Sequence, residues 1–456
     1  MAEHALDISE DTRLQRLERL QNVLDSGALA QARKMLNALT PGEIAHLLEA
    51  LPLAERDVLW NLVDDELEGE VLVLLTDEVR ADLISKMNRE ELVSATDGLD
   101  TDDLADLVQE LPETIAREII DSLDQQHRER LEAVLSYPED TAGGLMNPDA
   151  VTVRPEVTLD VVIRYLRRIR DHIPEDTDSL FVVNRDGRYL GVLPLIELVR
   201  RDPDDIVAEA MTLEPPPIPA TMEDNQVANL FEQHDLISAP VVDEEGRLLG
   251  RITVDDVVDV IREEGEHQFM GQAGLSEDED MFAPVMVSAR RRAVWLGVNL
   301  LTAFLASWVI GLFEETIQRV VALAVLMPVV ASMGGIAGSQ TLTLTIRGIA
   351  LGQLSGKNAR RLLLKEMAVA GINSIVWAAV VATIAGIWFH SVDIGALIAV
   401  ALTVNLLLAA FTGALLPLIL DRLGIDPALA GSVLLTTVTD VVGFLAFLGL
   451  ASLFLV

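Results

Sequence analysis

The sequence predicts a multi-domain protein: an all-α superhelical N-terminal domain, an α+β tandem repeat, a connecting helix and an α-helical transmembrane domain with five spans. Three observations carry that prediction. The 456 residues, length enough for about three domains, divide sharply by charge. Residues 1–284 hold 24 Lys and Arg against 65 Asp and Glu, a net of −41, whereas residues 285–456 hold ten against seven, a net of +3. Residues 141–265 repeat at an offset of 59. Beyond Arg290-Arg291-Arg292 come five apolar stretches, each longer than the roughly 20 residues a helix needs to cross a bilayer.

Residues 1–140 form the acidic helical domain. Gly42-Glu43-Ile44-Ala45-His46-Leu47-Leu48-Glu49-Ala50-Leu51-Pro52 matches Asp102-Asp103-Leu104-Ala105-Asp106-Leu107-Val108-Gln109-Glu110-Leu111-Pro112, and similar stretches begin at Arg80 and Arg89. Apolar residues recur at helical spacing and prolines open new helices, so a stack of short helices is expected. The start, MAEHALDISEDTRLQRLERL, is charged and lacks the apolar stretch of a signal peptide.

Residues 141–265 form the tandem, split as 141–205 and 206–265. Phe181-Val182-Val183-Asn184-Arg185-Asp186-Gly187-Arg188-Tyr189-Leu190-Gly191-Val192 aligns with Pro240-Val241-Val242-Asp243-Glu244-Glu245-Gly246-Arg247-Leu248-Leu249-Gly250-Arg251. Each copy reads as a β-hairpin with a glycine turn. A short strand and an amphipathic helix precede it, over Met146–Arg168 and Met211–His234. This β-α-β-β-α pattern resembles a pair of CBS domains. Such pairs often bind adenine nucleotides, and Thr253-Val254-Asp255-Asp256 fits their Ser/Thr-x-x-Asp ribose contact. Pro194-Leu195-Ile196-Glu197 in the first copy does not, and no aromatic residue offers a stacking face. A purely structural, dimerising pair is the alternative.

The second copy runs on into a connecting segment, 266–289. Asp256, Asp259 and Glu263 share one helical face. A solvated acidic face is the usual fate of such a run, but this helix leads toward the first membrane span.

The membrane domain covers 290–456, with spans expected at 293–313, 320–348, 362–389, 394–420 and 429–455. Basic residues precede span one and lie between spans two and three (Lys357, Arg360, Arg361, Lys365) and between four and five (Arg422). The alternate loops hold Arg319 with Glu314, Glu315 and Asp393. By the positive-inside rule the N-terminal domains face the cytoplasm of a cell (inner) membrane and the C-terminus lies outside. Asp440 stands mid-span, where a charge costs about 2.5–3.5 kcal/mol on insertion scales. Thr436 at i−4 and Ser432 at i−8 extend a polar stripe on its face. A pore wall suits that stripe; a protonated acid bonded to a neighbouring helix is the alternative. Met327-Pro328 and Met333-Gly334-Gly335-Ile336-Ala337-Gly338-Ser339-Gln340-Thr341 serve either tight helix packing or a pore lining.

Taken in order, the acidic helical repeat, the CBS-like pair, the acidic connecting helix and the five spans resemble the MgtE family of magnesium channels and transporters. Met327–Gln340, Gly424-Ile425-Asp426-Pro427-Ala428 and Thr436-Thr437-Val438-Thr439-Asp440 carry the resemblance most sharply. It implies a homodimer in the lipid bilayer with a central Mg²⁺ pore, onto whose aspartate Asp440 maps, with Thr436 and Ser432 at the same ion site. It also implies feedback: bound Mg²⁺ closes the pore. The matching sensor positions are Asp256, Asp259 and Glu264 on the connecting helix, Glu223, Glu232 and Asp235 in the second CBS copy, Asp102 and Asp106 in the N-terminal domain, and Asp426 in the cytoplasmic loop. Two residues depart from the family pattern. Ile336 stands where an Asn is common, and His267 where an acid can stand.

Other classes find less support. Net acidity argues against nucleic acid, and the absence of cysteine removes disulfides and thiolate metal sites. There is no His-Glu-x-x-His, and His390 is the only histidine after residue 285, so an intramembrane enzyme lacks its residues. A broader Co²⁺ or Mn²⁺ pathway and a proton-coupled carrier using Asp440 remain as alternatives.

Overall fold

The computed structural model describes residues 18–455 except 21, 25, 97, 175–176, 277–278 and 355; the stretch read as lacking a signal peptide falls largely outside them. The chain divides into two compact units, Met1–Glu263 with Asp278–Ala283, and Glu264–Glu277 with Pro284–Val456.

Among the described residues, helical residues at 18–20 and 22–24 precede nine short helices: α1 (Leu29–Leu36), α2 (Pro41–Glu49), α3 (Leu53–Trp60), α4 (Glu68–Val73), α5 (Asp77–Ile84), α6 (Arg89–Ala95), α7 (Thr101–Glu110), α8 (Glu113–Ser122) and α9 (Gln125–Val134). Prolines delimit them as expected: Pro41 opens α2, and Pro52 and Pro112 are the N-caps of α3 and α8. Thr40 with Glu43 and Asn88 with Glu91 form capping boxes, which satisfy two otherwise orphan donors each. The two copies of the 60-residue repeat are α2 and α7. Each buries an apolar face, Ile44, Ala45, Leu47 and Leu48 in one, Leu104, Ala105, Leu107 and Val108 in the other.

Two three-stranded sheets follow. In the first, β1 (Thr152–Val153) pairs parallel with β2 (Ser179–Val183), which pairs antiparallel with β3 (Tyr189–Pro194). The second repeats this with β4 (Ile218–Pro219), β5 (Ser238–Val242) and β6 (Leu248–Thr253). Helix α10 (Leu159–Arg168) crosses from β1 to β2; α11 (Glu197–Arg200) and α12 (Val207–Ala210) follow β3; α13 (Asp224–His234) crosses from β4 to β5. Gly187 and Gly246 make the hairpin turns at φ of +78° and +76°, a region open to glycine at little cost. The two hairpins dock turn to turn. Tyr189 N–H donates to the Gly246 carbonyl and Leu248 N–H to the Gly187 carbonyl, each at 3.0 Å. The first copy keeps its own core of Leu159, Val162, Leu180, Val182 and Leu193. The second merges its core, through Ile218, Val227, Phe231, Val257 and Val260, with that of the helical domain.

Helix α14 (Val254–Gly271) begins in the first unit and ends in the second. It does not run straight into the membrane helix, as the sequence suggests. Gly274 takes a positive φ of 72°, and the chain at 278–283 belongs to the first unit. There Arg56, fully buried, donates to both carboxylate oxygens of Asp280 at 2.8 and 3.0 Å and to the carbonyls of Leu48 and Leu51. Asp280 N–H donates to Glu78 at 2.7 Å.

The second unit holds α15 (Val285–Gly311), the short α16 (Glu314–Arg319), α17 (Ala322–Ala350), α18 (Gly356–Trp388), α19 (Val392–Arg422) and α20 (Pro427–Phe454). Five of these are long and apolar enough to span a membrane. At 1.5 Å per residue, helices of 27–33 residues exceed a hydrocarbon core of about 30 Å. Helices α15 and α18 start six to eight residues before the expected apolar stretches do. Arg290–Arg292 and Arg360-Arg361 lie inside the helices, because a charged side chain at the interface costs little while the backbone must stay hydrogen-bonded. Helix α19 is half buried along its apolar window, α15 hardly at all.

A candidate ion groove and an acidic face

Asp440 and Thr436 lie one turn apart on α20 and share a groove of roughly 980 Å³ with α17, whose Ala331, Ser332, Gly335, Ile336, Ser339, Gln340, Thr343 and Leu344 form the other wall. The glycine-rich motif therefore serves both expected roles, one on each face. Gly334 and Gly338 are buried; a Cβ on Gly338 would sit 2.9 Å from Leu435. The residues beside them, Gly335, Ile336 and Ser339, face the groove. Ile336 is 57% exposed there and, with Ala331 and Leu344, makes the apolar part of a wall that also bears hydroxyl and amide groups. Ser432 does not line the groove; its carbonyl accepts the Thr436 hydroxyl at 2.9 Å. Ser332, Ser339, Gln340 and Thr343 supply the remaining polar groups, and their i, i+7, i+8, i+11 spacing along α17 was the signal for them.

Asp440 is not the sole acid within the spans. Glu366 of α18 is only 5% exposed and accepts from the Thr341 hydroxyl at 3.1 Å, with Lys365 Nζ 2.8 Å from its other oxygen. It lies within the expected span 362–389 but was not singled out, because Arg360, Arg361 and Lys365 beside it mark a charged helix end.

The end of α14 lies in the same unit. Asp426 caps α20, accepting from the N–H groups of Ala428 and Leu429, and its carboxylate lies 3.0 Å from His267 Nε2. Thr343 of the groove donates to Gln272 at 3.4 Å. The residue expected to be an acid, His267, thus contacts Asp426 directly. Glu264, one turn earlier, accepts from Gln268 at 2.5 Å.

In the first unit the acids of α7 lie within reach of the charges at the start of α14. Burial, then the charges of Asp256, Asp103 and Asp100, push Asp102 well above the usual carboxylate range. Burial, then the neighbouring charge of Glu139, raises Asp106 to about 7. Burial raises Asp256 to about 7 against two hydrogen bonds from Thr253, N–H at 3.1 Å and hydroxyl at 2.9 Å. Asp103, which the repeat pattern did not single out, is raised to about 6 by burial and then by Asp100, Asp255 and Asp259. Burial also raises Asp259, which pairs with Arg262 at 3.4 Å. The common cause is packing. Leu104, Ala105, Val257 and Val260 bury the apolar faces of both helices, and the acidic faces follow them out of water.

The other expected sensor residues are placed differently. Glu223 and Asp235 are the caps at opposite ends of α13, and Glu232 lies in its last turn. All three are exposed. Twelve residues of helix separate the first from the last by about 18 Å, so Glu223 and Asp235 cannot share an ion within one chain. Among the described residues no three His, Asp or Glu side chains converge to hold a bare metal ion.

Comparison with known proteins follows the same division. A family described as a divalent cation transporter matches residues 327–450, the MgtE intracellular N domain matches 39–140, and the CBS domain matches 142–204 and 207–263. The chain is 34% identical over 445 residues to the magnesium transporter MgtE of Thermus thermophilus, covering 96% of this chain and 98% of that one. It is 28% identical over 437 residues to the MgtE of Bacillus subtilis, covering 95% and 96%. Among solved structures, the cytosolic domain of the Mg²⁺ channel MgtE in complex with ATP aligns at 35% identity and a TM-score of 0.49, over 54% of this chain and 99% of that one. Because the transporter, N and CBS domains match in sequence order and similarity to the Thermus protein runs nearly end to end, the chain belongs to the MgtE family.

Proposed function

We propose that this protein carries Mg²⁺ across the cell (inner) membrane as a homodimeric channel, not as an enzyme, and that Mg²⁺ bound to its acidic cytoplasmic domains closes it. The groove carries the reading: one carboxylate and a row of hydroxyl and amide groups face an opening between two membrane helices. A hydrated divalent ion keeps its waters and is read through them by oxygen groups. Two copies of the chain would put a second Asp440 opposite the first. Relatives aligned over nearly the whole chain are named magnesium transporters.

The domains at 1–140, 141–265, 266–289 and 290–456 then have separate tasks: sensing, sensing and dimerising, coupling, and conducting. The arginine bias places the sensing half inside the cell and the C-terminus outside. Asp102, Asp103, Asp106, Asp256 and Asp259 repel one another without a divalent ion. An ion shared across α7 and α14 replaces repulsion with attraction and favours the state it binds better, by its differential affinity alone. Glu264 and Asp426 would act at the far end of α14, where the His267 ring nitrogen lies against Asp426 in place of one acidic ligand. Glu223, Glu232 and Asp235 would act across the dimer. An adenine nucleotide is a further ligand of this reading, at the second CBS copy. There a ribose would displace the Thr253 hydroxyl from Asp256.

The test is ion flux into proteoliposomes under Mg²⁺, Co²⁺ and Mn²⁺ gradients, with and without a pH gradient. Mg²⁺ flux that falls as Mg²⁺ rises on the cytoplasmic side supports the reading. Flux that needs a pH gradient would make the protein a proton-coupled carrier instead, and equal Co²⁺ or Mn²⁺ flux would widen the cargo, as Ile336 in the groove wall favours.

A further inference from the structure

Asn405 is the most deeply placed amide of the membrane unit. It lies in the middle of α19, is fully buried, and donates from Nδ2 to the Val330 carbonyl of α17 at 2.8 Å. Its Oδ1 is buried without a hydrogen-bond partner among the described residues. The amide sits against glycine on two sides. A Cβ on Gly334 of α17 would lie 2.2 Å from Nδ2, and one on Gly443 of α20 would lie 2.8 Å from it. Those two helices are the walls of the ion groove. Gly334 precedes the groove residue Gly335, and Gly443 follows Asp440 by three residues, one turn of helix. Val330 lies two residues after Pro328, which sits inside α17 and lacks the N–H that would bond the Ala324 carbonyl one turn earlier.

Packing alone does not account for this residue. A leucine fills a similar volume without burying an unsatisfied oxygen, which costs about 1–3 kcal/mol. Polar side chains inside membrane helices are rare, and where present they tie helices together or serve function.

We infer that Asn405 is a positioning residue for transport: its amide, wedged between Gly334 and Gly443, sets the separation of α17 and α20 and thereby which hydrated cations the groove accepts. The inference rests on the transport reading above. It places discrimination partly in a residue that never meets the ion. Asn405 holds the Ile336 wall at a fixed distance from Asp440, and a groove that selects by hydrated size is sensitive to that distance.

Two experiments test it. In proteoliposomes, Asn405→Leu should shift the Mg²⁺-to-Ca²⁺ flux ratio about tenfold, the order that one misplaced methylene is worth in discrimination. Gly443→Ala should lower Mg²⁺ flux, and Asn405→Ala with Gly443→Ala should recover about tenfold of it, as contacting residues do in double-mutant cycles. A wild-type flux ratio in Asn405→Leu, or a double variant no better than Gly443→Ala alone, overturns the inference. The second experiment needs no transport. The chain has no cysteine, so spin labels on Ile336→Cys and Thr436→Cys report groove width in labelled protein diluted with unlabelled. Asn405→Leu should change that distance; an unchanged distance overturns the inference even if wild-type protein passes no Mg²⁺, a result that would defeat only the transport reading.

Discussion

Removing a carboxylate from the α7–α14 face should stabilise the first unit, not weaken it. Asp106→Asn is the cleanest perturbation. Arg80, whose charge faces Asp106, keeps Asp77 at 2.6 Å and the carbonyls of Val73 and Leu75, so the substitution strands no cation. Asp106 is raised from 3.8 to about 7, chiefly by burial and then by Glu139. At 1.36 kcal/mol per pKa unit this is a ceiling of about 4 kcal/mol. Water still reaches the half-buried side chain, which brings the expected gain to about 1–2 kcal/mol. The sign follows from linkage. The folded protein holds this proton more tightly than the unfolded chain, so the stability it confers is complete below about pH 4 and is lost as pH rises through about 7. Without divalent ions the wild-type protein should therefore weaken between pH 5 and 8, and Asp106→Asn should weaken less. Millimolar Mg²⁺ should restore the wild-type protein at pH 8 by mass action on the folded state and restore the variant less. Hydrogen exchange of α7 and α14 in the full-length protein, corrected for the intrinsic effect of pH, reads all three effects. Faster exchange in Asp106→Asn at pH 8 without Mg²⁺, or wild-type protection independent of pH, would refute the argument.

Asp440→Ala should reduce Mg²⁺ flux to the level of protein-free liposomes while the protein stays monodisperse in detergent; flux at the wild-type level would remove Asp440 from the ion path. Arg56→Ala leaves Asp280 buried without its bidentate partner, a loss of about 3–5 kcal/mol, and should expose residues 279–283 to protease, whereas Arg56→Lys should restore part of the protection. Single cysteines introduced at Arg185 and at Asp393 should react with an impermeant thiol reagent from the cytoplasmic and the outer side respectively; reaction from the same side would mean the arginine bias misleads. Magnesium, but not sodium at equal ionic strength, should protect the end of α14 and the segment after it from protease; equal protection by both would mean that screening, not a bridging ion, holds it.

The number and kind of elements were legible from the residues because they are local. Proline and glycine punctuation marked the short helices of residues 29–134, a 59-residue offset marked the twin hairpins, and apolar length marked the spans. Net charge, −41 against +3, together with the apolar runs beyond Arg292, separated the acidic half from the membrane half. Asp440 and Thr436 were legible for the same reason: a carboxylate in an apolar run has few uses, and i, i+4 fixes its face. What depended on packing was not. The carboxylates of Asp102, Asp106 and Asp256 are visible in the sequence, but their displacement toward neutral pH arises where Leu104, Ala105, Val257 and Val260 bring α7 against α14, contacts some 150 residues apart in the chain. Glu366 fell inside the expected span 362–389 without standing out beside Arg360, Arg361 and Lys365, and only the Thr341 hydroxyl from another helix gives it a partner. Ser432 shared a helical face with Asp440 yet falls outside the groove, because period alone gives direction along one helix and not where the neighbouring helix stands. Asn405 reads as an ordinary polar interruption of a hydrophobic span. Only the approach of Gly334 and Gly443 from two other helices, at distances no side chain beyond glycine permits, gives that amide its place between the walls of the groove.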